Sequence, residues 1–203
     1  MNWLAHVALS PELPDFRLGN LFADLVPRRD EVQFSAAFQQ GCACHRLIDA
    51  TTDSHPLVAN AKALAGPGYL RYAGVILDIY FDHLLALHWA GFHPQPLGDF
   101  THLFYQSATP LTGALPPVAQ TAWQRIVQHN VLASMSDVAS VDYALQRISA
   151  RWQARFGRVI EMRPALDRLE MAKPEVTELF LQFYPELKKT AQTAWHSEAT
   201  LPA

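Results

Sequence analysis

The segment from Ala73 to Ala90, AGVILDIYFDHLLALHWA, constrains this chain more than any other. The helix it predicts, Tyr69 to Trp89, is apolar nearly all round and so belongs at the centre of a core. Yet it carries Asp78, Asp82, His83 and His88. A lone buried carboxylate is costly, and two on one helix face also repel each other. Two acids in mid-segment argue against a membrane span. The fold must wrap further helices round this one and bring partners to its acids. With 203 residues, half of them hydrophobic and 17% charged, the chain suits one domain with a real core. The composition is not that of a disordered protein. A formal net charge of −3 argues against a general nucleic-acid binder. The opening MNWLAHVALS lacks the basic start, long apolar stretch and cleavage site of a signal peptide. A soluble, cytoplasmic protein is expected.

Helical periodicity recurs along the chain and strand alternation is weak. A turn after Leu13 leads into LFADLV, which Pro27 stops. A helix is predicted from Glu31 to Thr51. Asp53 is a plausible N-cap for the next, with Pro56 in its first turn and a stop at Gly66-Pro67-Gly68. The stretch Gly91 to Pro117 reads as irregular, with a short helical piece near Phe100 to Gln106. Pro117 to Ser134 is helical, and Ser136 or Asp137 caps a helix reaching about Phe156. Pro164 to Trp195 is helical, interrupted near Pro174 and broken near Pro185. The expected architecture is all-α: a single-domain bundle of about seven or eight helices over residues 1–196, with a frayed tail from 197 to 203.

Nine His against sixteen Lys plus Arg invite a search for a metal site. His45 and Asp49, in CHRLID, lie four apart and share a helix face. Asp78 and Asp82, in LDIYFDHLL, do the same, with His83 next round the helix. A metal ion shared with His45 and Asp49 would satisfy these acids. Pairing with Arg46 or Arg71, or capping of neighbouring helices, would satisfy them equally. A third group is Asn2, His6, Gly19, Asn20 and Asp24, in which Gly19 lets a substrate or a backbone come close. Helix capping by Asn20, a surface Asp24 and a core His6 are the plain alternatives. His55 suits a first turn or a phosphate contact. Cys42 and Cys44 point different ways on a helix and read as reduced core thiols.

Charge is unevenly spread. Up to Phe100 there are ten acidic residues against six basic ones. Between Tyr143 and Arg168 lie Arg147, Arg151, Arg155, Arg158, Arg163 and Arg168 against only Glu161 and Asp167. Arg147, Arg151 and Arg155 form one stripe, either a solvated face or a docking surface for an acidic partner or a phosphate.

Four segments in series, MNWLAHVALS, LGNLFADLV, GCACHRLIDATTDSHP and YAGVILDIYFDHLLALHW, resemble the acyl-carrier-protein phosphodiesterase family. That family, also called acyl-carrier-protein hydrolase, is counted as a divergent relative of the HD-domain metal-dependent phosphohydrolases. The likeness runs in order from Met1 to about Trp89 and more loosely to about Tyr184. It implies an HD-like helical fold. It also implies hydrolysis of the phosphodiester that joins 4′-phosphopantetheine to a serine of holo-acyl carrier protein. It further implies a divalent metal, manganese before magnesium. The pair Asp82-His83 reverses the usual His-Asp order, and adjacent helix residues diverge by about 100°.

On that resemblance the expected metal ligands are Asp24, His45, Asp49, Asp78 and Asp82. A metal-activated water would attack phosphorus, with His83 or His6 as proton donor to the leaving serine. Asn20 and Arg46 would bind phosphate oxygens. The carrier protein is acidic, so Arg28 and Arg29, or the stripe of Arg147, Arg151 and Arg155, would dock it. Two other readings compete. One is an HD-type phosphohydrolase of a nucleotide or other small phosphodiester. The other is a non-catalytic carrier-protein-binding helical module.

Overall fold

A computed structural model of the chain describes residues 1–157 and 159–198. These hold eleven α-helices and no strand. They are α1 (Trp3–Ala8), α2 (Pro14–Phe22), α3 (Ala36–Ser54), α4 (Pro56–Leu64), α5 (Ala73–Leu87), α6 (Leu97–Ala108), α7 (Pro117–Gln128), α8 (Val131–Ser134), α9 (Val138–Phe156), α10 (Arg163–Met171) and α11 (Lys173–Glu198). The all-α expectation holds, with more helices than the seven or eight expected. The surplus has local causes. Asn130 takes a left-handed φ of 45° and splits the 117–134 stretch into α7 and α8. The six-residue α1 is too short to give a periodic signal in the sequence. Position 158 and the tail from 199 onward lie outside the described residues.

The α5 helix is the predicted centre. Eleven of its fifteen residues are buried, and it packs against α1, α4, α9, α10 and α11. Asp82 on this helix is fully buried. Its Oδ2 accepts from the Leu4 amide at 2.7 Å and its Oδ1 from the Ala5 amide at 3.1 Å. It thus caps α1 from another helix, satisfying two amides that no residue of α1 can reach. Asp82→Ala leaves both amides buried and unpaired, and an expected loss of about 2–4 kcal/mol in urea denaturation checks this role.

Helices α2 and α3 cross with their backbones in close approach. A Cβ on Gly19 would lie 2.0 Å from the Phe38 carbonyl oxygen, and one on Gly41 would lie 2.1 Å from the Phe16 carbonyl oxygen. Each glycine admits the other helix's backbone. Gly19 therefore serves a backbone approach.

Several boundaries differ from the sequence reading: α2 is helical from Pro14, where a turn is expected, α5 starts at Ala73 rather than Tyr69, and α6 extends the expected Phe100 to Gln106 piece to Leu97–Ala108. Glu31 lies in a 3₁₀ turn, Arg28–Gln33, and α3 starts only after Ser35, whose Oγ caps Phe38 N at 3.2 Å. Asp53 lies inside α3 and pairs with Lys62, while His55 caps α4 through Nδ1. Pro185 stands inside α11 without ending it. The buried Phe180, Phe183, Tyr184 and Leu187 anchor α11 on both sides of that proline, so packing outweighs the lost hydrogen bond. Cys42 and Cys44 are buried and neither is in a disulfide, as expected. Among the described residues no helix is long and apolar enough to cross a membrane.

Candidate metal centre

Helices α1, α2 and α3 meet where the α2–α3 glycines allow closest approach. His6 comes from α1, Asn20 from α2, and His45 and Asp49 from one face of α3. The two imidazoles stack, with centroids 4.1 Å apart and planes 15° apart. The Asp49 carboxylate spans them: Oδ1 lies 3.3 Å from His6 Nε2 and Oδ2 lies 3.1 Å from His45 Nε2. One ligand atom from each of the three residues lies within 4.8 Å of the other two. Asp24, in a 3₁₀ turn after α2, brings Oδ1 to 3.5 Å from His45 Nε2. The histidines are buried, whereas the Asp24 side chain is 83% exposed, so the centre opens to solvent on the Asp24 side.

Both Nδ1 atoms are engaged away from the centre. His6 Nδ1 is 2.9 Å from Asn20 Oδ1, and His45 Nδ1 is 2.7 Å from the Asn20 main-chain oxygen. Both Nε2 atoms face acceptors. For His6 these are Asp49 and the Met1 carbonyl, at 3.3 and 3.2 Å. For His45 they are Asp49 and Asp24. Burial opposes a charge on either ring. For His6 burial prevails and its pKa is lowered. For His45 the carboxylates of Asp24 and Asp49 overcome it and raise the value to about 9. Burial would raise Asp49, but the His45 and His6 rings hold it well below the usual carboxylate range.

These residues fit a divalent cation. His45 Nε2 is buried and, although 3.1 Å from Asp49, makes no hydrogen bond with it. Acceptors crowd the centre, and the His6 ring, kept neutral by its burial, has one proton to offer. A positive ion among them satisfies all at once. Two imidazoles with carboxylates favour manganese, iron or zinc over magnesium, which prefers an all-oxygen shell.

The structure does not gather all the residues expected here. Asp78 binds the Met1 nitrogen at 3.0 Å, and that nitrogen lies 3.6 Å from Asp49, so Asp78 borders the centre at one remove. Asp82 is corrected from ligand to cap, since both its oxygens are taken by α1 amides. His83 turns away to a separate cluster. Its Nδ1 donates to the Met135 carbonyl at 2.7 Å and its Nε2 meets Lys173 Nζ at 3.4 Å. Lys173 pairs with Glu170, which also accepts from Tyr80. With both ring nitrogens engaged there, His83 is not a proton donor at this centre. Neither member of the Asp82-His83 pair faces it. Arg46, expected to bind phosphate, pairs through Nη1 with the buried Glu31 at 2.8 Å. Asn20 is fully buried among His6, Ser10 and Cys44, out of a substrate's reach. His6, expected as an acid, stands with the ligands.

The basic candidates lie at the surface. Arg28 and Arg29 are exposed in the turn that follows the Asp24 segment. Arg147, Arg151 and Arg155 share a face of α9. Burial, then Arg147 and Arg125, lower the Arg151 pKa, which shows cations crowded together. Arg147 stands over Tyr143 and Arg155 over Phe156, both exposed aromatics.

The His83 cluster makes stability depend on pH. Burial foremost, then Lys173, lower the His83 pKa from its ordinary 6.5, against the pull of the Met135 carbonyl. The unfolded chain therefore takes up this proton first, and stability falls as pH drops below 6.5. In His83→Asn the side-chain amide keeps a donor for Met135 but does not titrate. Its urea midpoint should fall less steeply than that of the wild type between about pH 6.5 and 5.

Comparison with known proteins agrees with this architecture. The family model for acyl carrier protein phosphodiesterase matches residues 1–187. An acyl carrier protein phosphodiesterase of Photorhabdus laumondii is 32% identical, the alignment covering 95% of this chain and 96% of the relative. One from Klebsiella pneumoniae is 30% identical over 95% and 98% of the two chains, and one from Yersinia pestis is 28% identical over the same shares. No solved structure matches. The chain belongs to the acyl carrier protein phosphodiesterase family.

Proposed function

We propose that this chain is a metal-dependent phosphodiesterase that hydrolyses holo-acyl carrier protein to apo-acyl carrier protein and 4′-phosphopantetheine. The convergence of His6, His45 and Asp49 on one solvent-facing point carries the chemistry. The names of the relatives carry the substrate. His6, His45 and Asp49 would hold the ion, with Asp24 at the rim. A divalent cation there supplies Lewis acidity toward a phosphate oxygen and lowers the pKa of bound water. Asp49 bridges the two rings and fixes their spacing. Asp24, exposed and held anionic by the nearby His45 ring at 3.5 Å, faces the side from which substrate and water arrive. The buried walls formed by α1 and α3 exclude water from the other sides, which strengthens each of these electrostatic contacts.

Manganese is the expected ion and magnesium the weaker one. Activity on holo-carrier protein should vanish on chelation and return with manganese, the product being read by mass spectrometry as loss of the phosphopantetheine mass. Full activity in the stripped protein would reject the metal. Turnover of cyclic nucleotides in preference to holo-carrier protein would reject the substrate.

An acidic carrier protein would be guided by Arg28 and Arg29 beside the Asp24 mouth, or by Arg147, Arg151 and Arg155 on α9. In either case kcat/KM should fall as salt rises from 50 to 500 mM, since the Debye length shrinks from roughly 14 to 4 Å. Charge reversal at one pair then tells which patch is used.

A further inference from the structure

Asn20 has no exposed surface, so its amide cannot meet a substrate phosphate. The direction of its hydrogen bonds is fixed from one end. The Ser10 hydroxyl donates to the His6 carbonyl at 2.8 Å, which leaves the Ser10 oxygen as an acceptor. The Asn20 amide nitrogen donates to that oxygen at 2.8 Å and to the same His6 carbonyl at 2.9 Å. Those two acceptors, with the Cys44 sulfur at 3.6 Å on the same side, claim the NH₂ group, so the amide oxygen must face the His6 ring, 2.9 Å from Nδ1. Nδ1 then carries hydrogen. A neutral imidazole has only one such hydrogen, so Nε2 is left as a bare lone pair.

The other neighbours of this ring pull the opposite way. Nε2 faces the Met1 carbonyl at 3.2 Å and Asp49 Oδ1 at 3.3 Å, and both call for hydrogen on Nε2. We propose that Asn20 is a positioning residue that sets the tautomer of His6 against the pull of Asp49, so that Nε2 presents its lone pair to a divalent cation. The main-chain oxygen of the same residue holds His45 Nδ1–H at 2.7 Å. One residue thus aims both rings, His6 through its side chain and His45 through its backbone. Orienting the far nitrogen of a ligating imidazole in this way typically affects metal affinity 10- to 100-fold.

The purpose of this arrangement rests on the metal reading above, but the tautomer belongs to the metal-free protein and can be read there. Long-range ¹⁵N spectra of the histidine rings, taken at about pH 8 on chelator-treated full-length protein, should show His6 with hydrogen on Nδ1. In Asn20→Leu the hydrogen should move to Nε2, while His45 Nδ1 stays protonated because its acceptor is backbone. Manganese alone, titrated by calorimetry, should bind Asn20→Leu about 10- to 100-fold more weakly. Ser10→Ala removes a neighbouring hydrogen bond but not the amide oxygen, so it should keep the Nδ1–H form and bind manganese within about threefold of wild type. If Asn20→Leu does not fold, Asn20→Asp retains the acceptor and should retain Nδ1–H. Hydrogen on Nε2 in the wild type, or on Nδ1 in Asn20→Leu, would overturn the proposal. A loss of affinity in Ser10→Ala equal to that in Asn20→Leu would overturn it too, since the network would then be merely structural. If the wild type binds no manganese, the metal reading fails, and the tautomer assignment is still decided by the spectra.

Discussion

Replacing Gly19 with Ala should cost about 3–5 kcal/mol, a large share of the roughly 5–15 kcal/mol that holds an ordinary domain together. The added methyl would sit 2.0 Å from the Phe38 carbonyl oxygen and 2.8 Å from its carbon. These are backbone atoms in the first turn of α3, so no side chain can swing aside, and the helices must separate. Separation would open the core around Phe16, Phe38 and Cys42, and would also draw His45 away from the Asn20 carbonyl. Gly41→Ala should behave alike, because its methyl would meet the Phe16 carbonyl oxygen at 2.1 Å. Gly98→Ala is the control. Nothing lies within 4 Å of a Cβ there, and Ala in a helix should stabilise by up to about 1 kcal/mol. Urea denaturation of the three variants checks the contrast. An unchanged midpoint in Gly19→Ala would mean that α2 and α3 cross farther apart than described.

The second large effect is on turnover. Asp49→Asn and His45→Gln should each lower kcat/KM on holo-carrier protein by about 10³-fold, since an ion's contribution of several kcal/mol to the transition state is lost with its ligand. Both substitutions conserve much of the side-chain volume, so far-ultraviolet circular dichroism should show a folded helical protein. Bound manganese per chain should fall in parallel. Asp82→Asn is the informative contrast. As a cap it should lose activity only as far as it loses folded protein. Equal loss in Asp82→Asn without unfolding would return Asp82 to the ligands.

The fold and the site were legible to different depths. The central helix could be read because its apolar residues leave no solvated face. The His45–Asp49 pair was legible because a spacing of four places both on one side of α3. Asp82 and His83 looked like site residues for the same reason, but spacing along a helix does not say which neighbour that face meets. Asp82 meets the amides of α1, a helix of six residues too short to give a periodic signal. His83 meets Lys173, ninety residues on. Asn20 reads in the sequence as a phosphate-binding or capping residue, and only the burial of its amide shows that it serves the histidines. Pro185 looked like a stop because the sequence shows the missing N–H and not the aromatic side chains that hold α11 in place.

The last described helix has a consequence in time. α11 lies against α3 and α4, with Phe183 against His55 and Phe180 against Phe81. A chain leaving the ribosome exposes His6, His45 and Asp49 early, yet the rear of α3 stays bare until α11 has emerged, more than a hundred residues later. At about 5–20 residues per second that interval lasts several seconds or more. Over that interval the helix that carries His45 and Asp49 lacks the packing that α11 later places behind it.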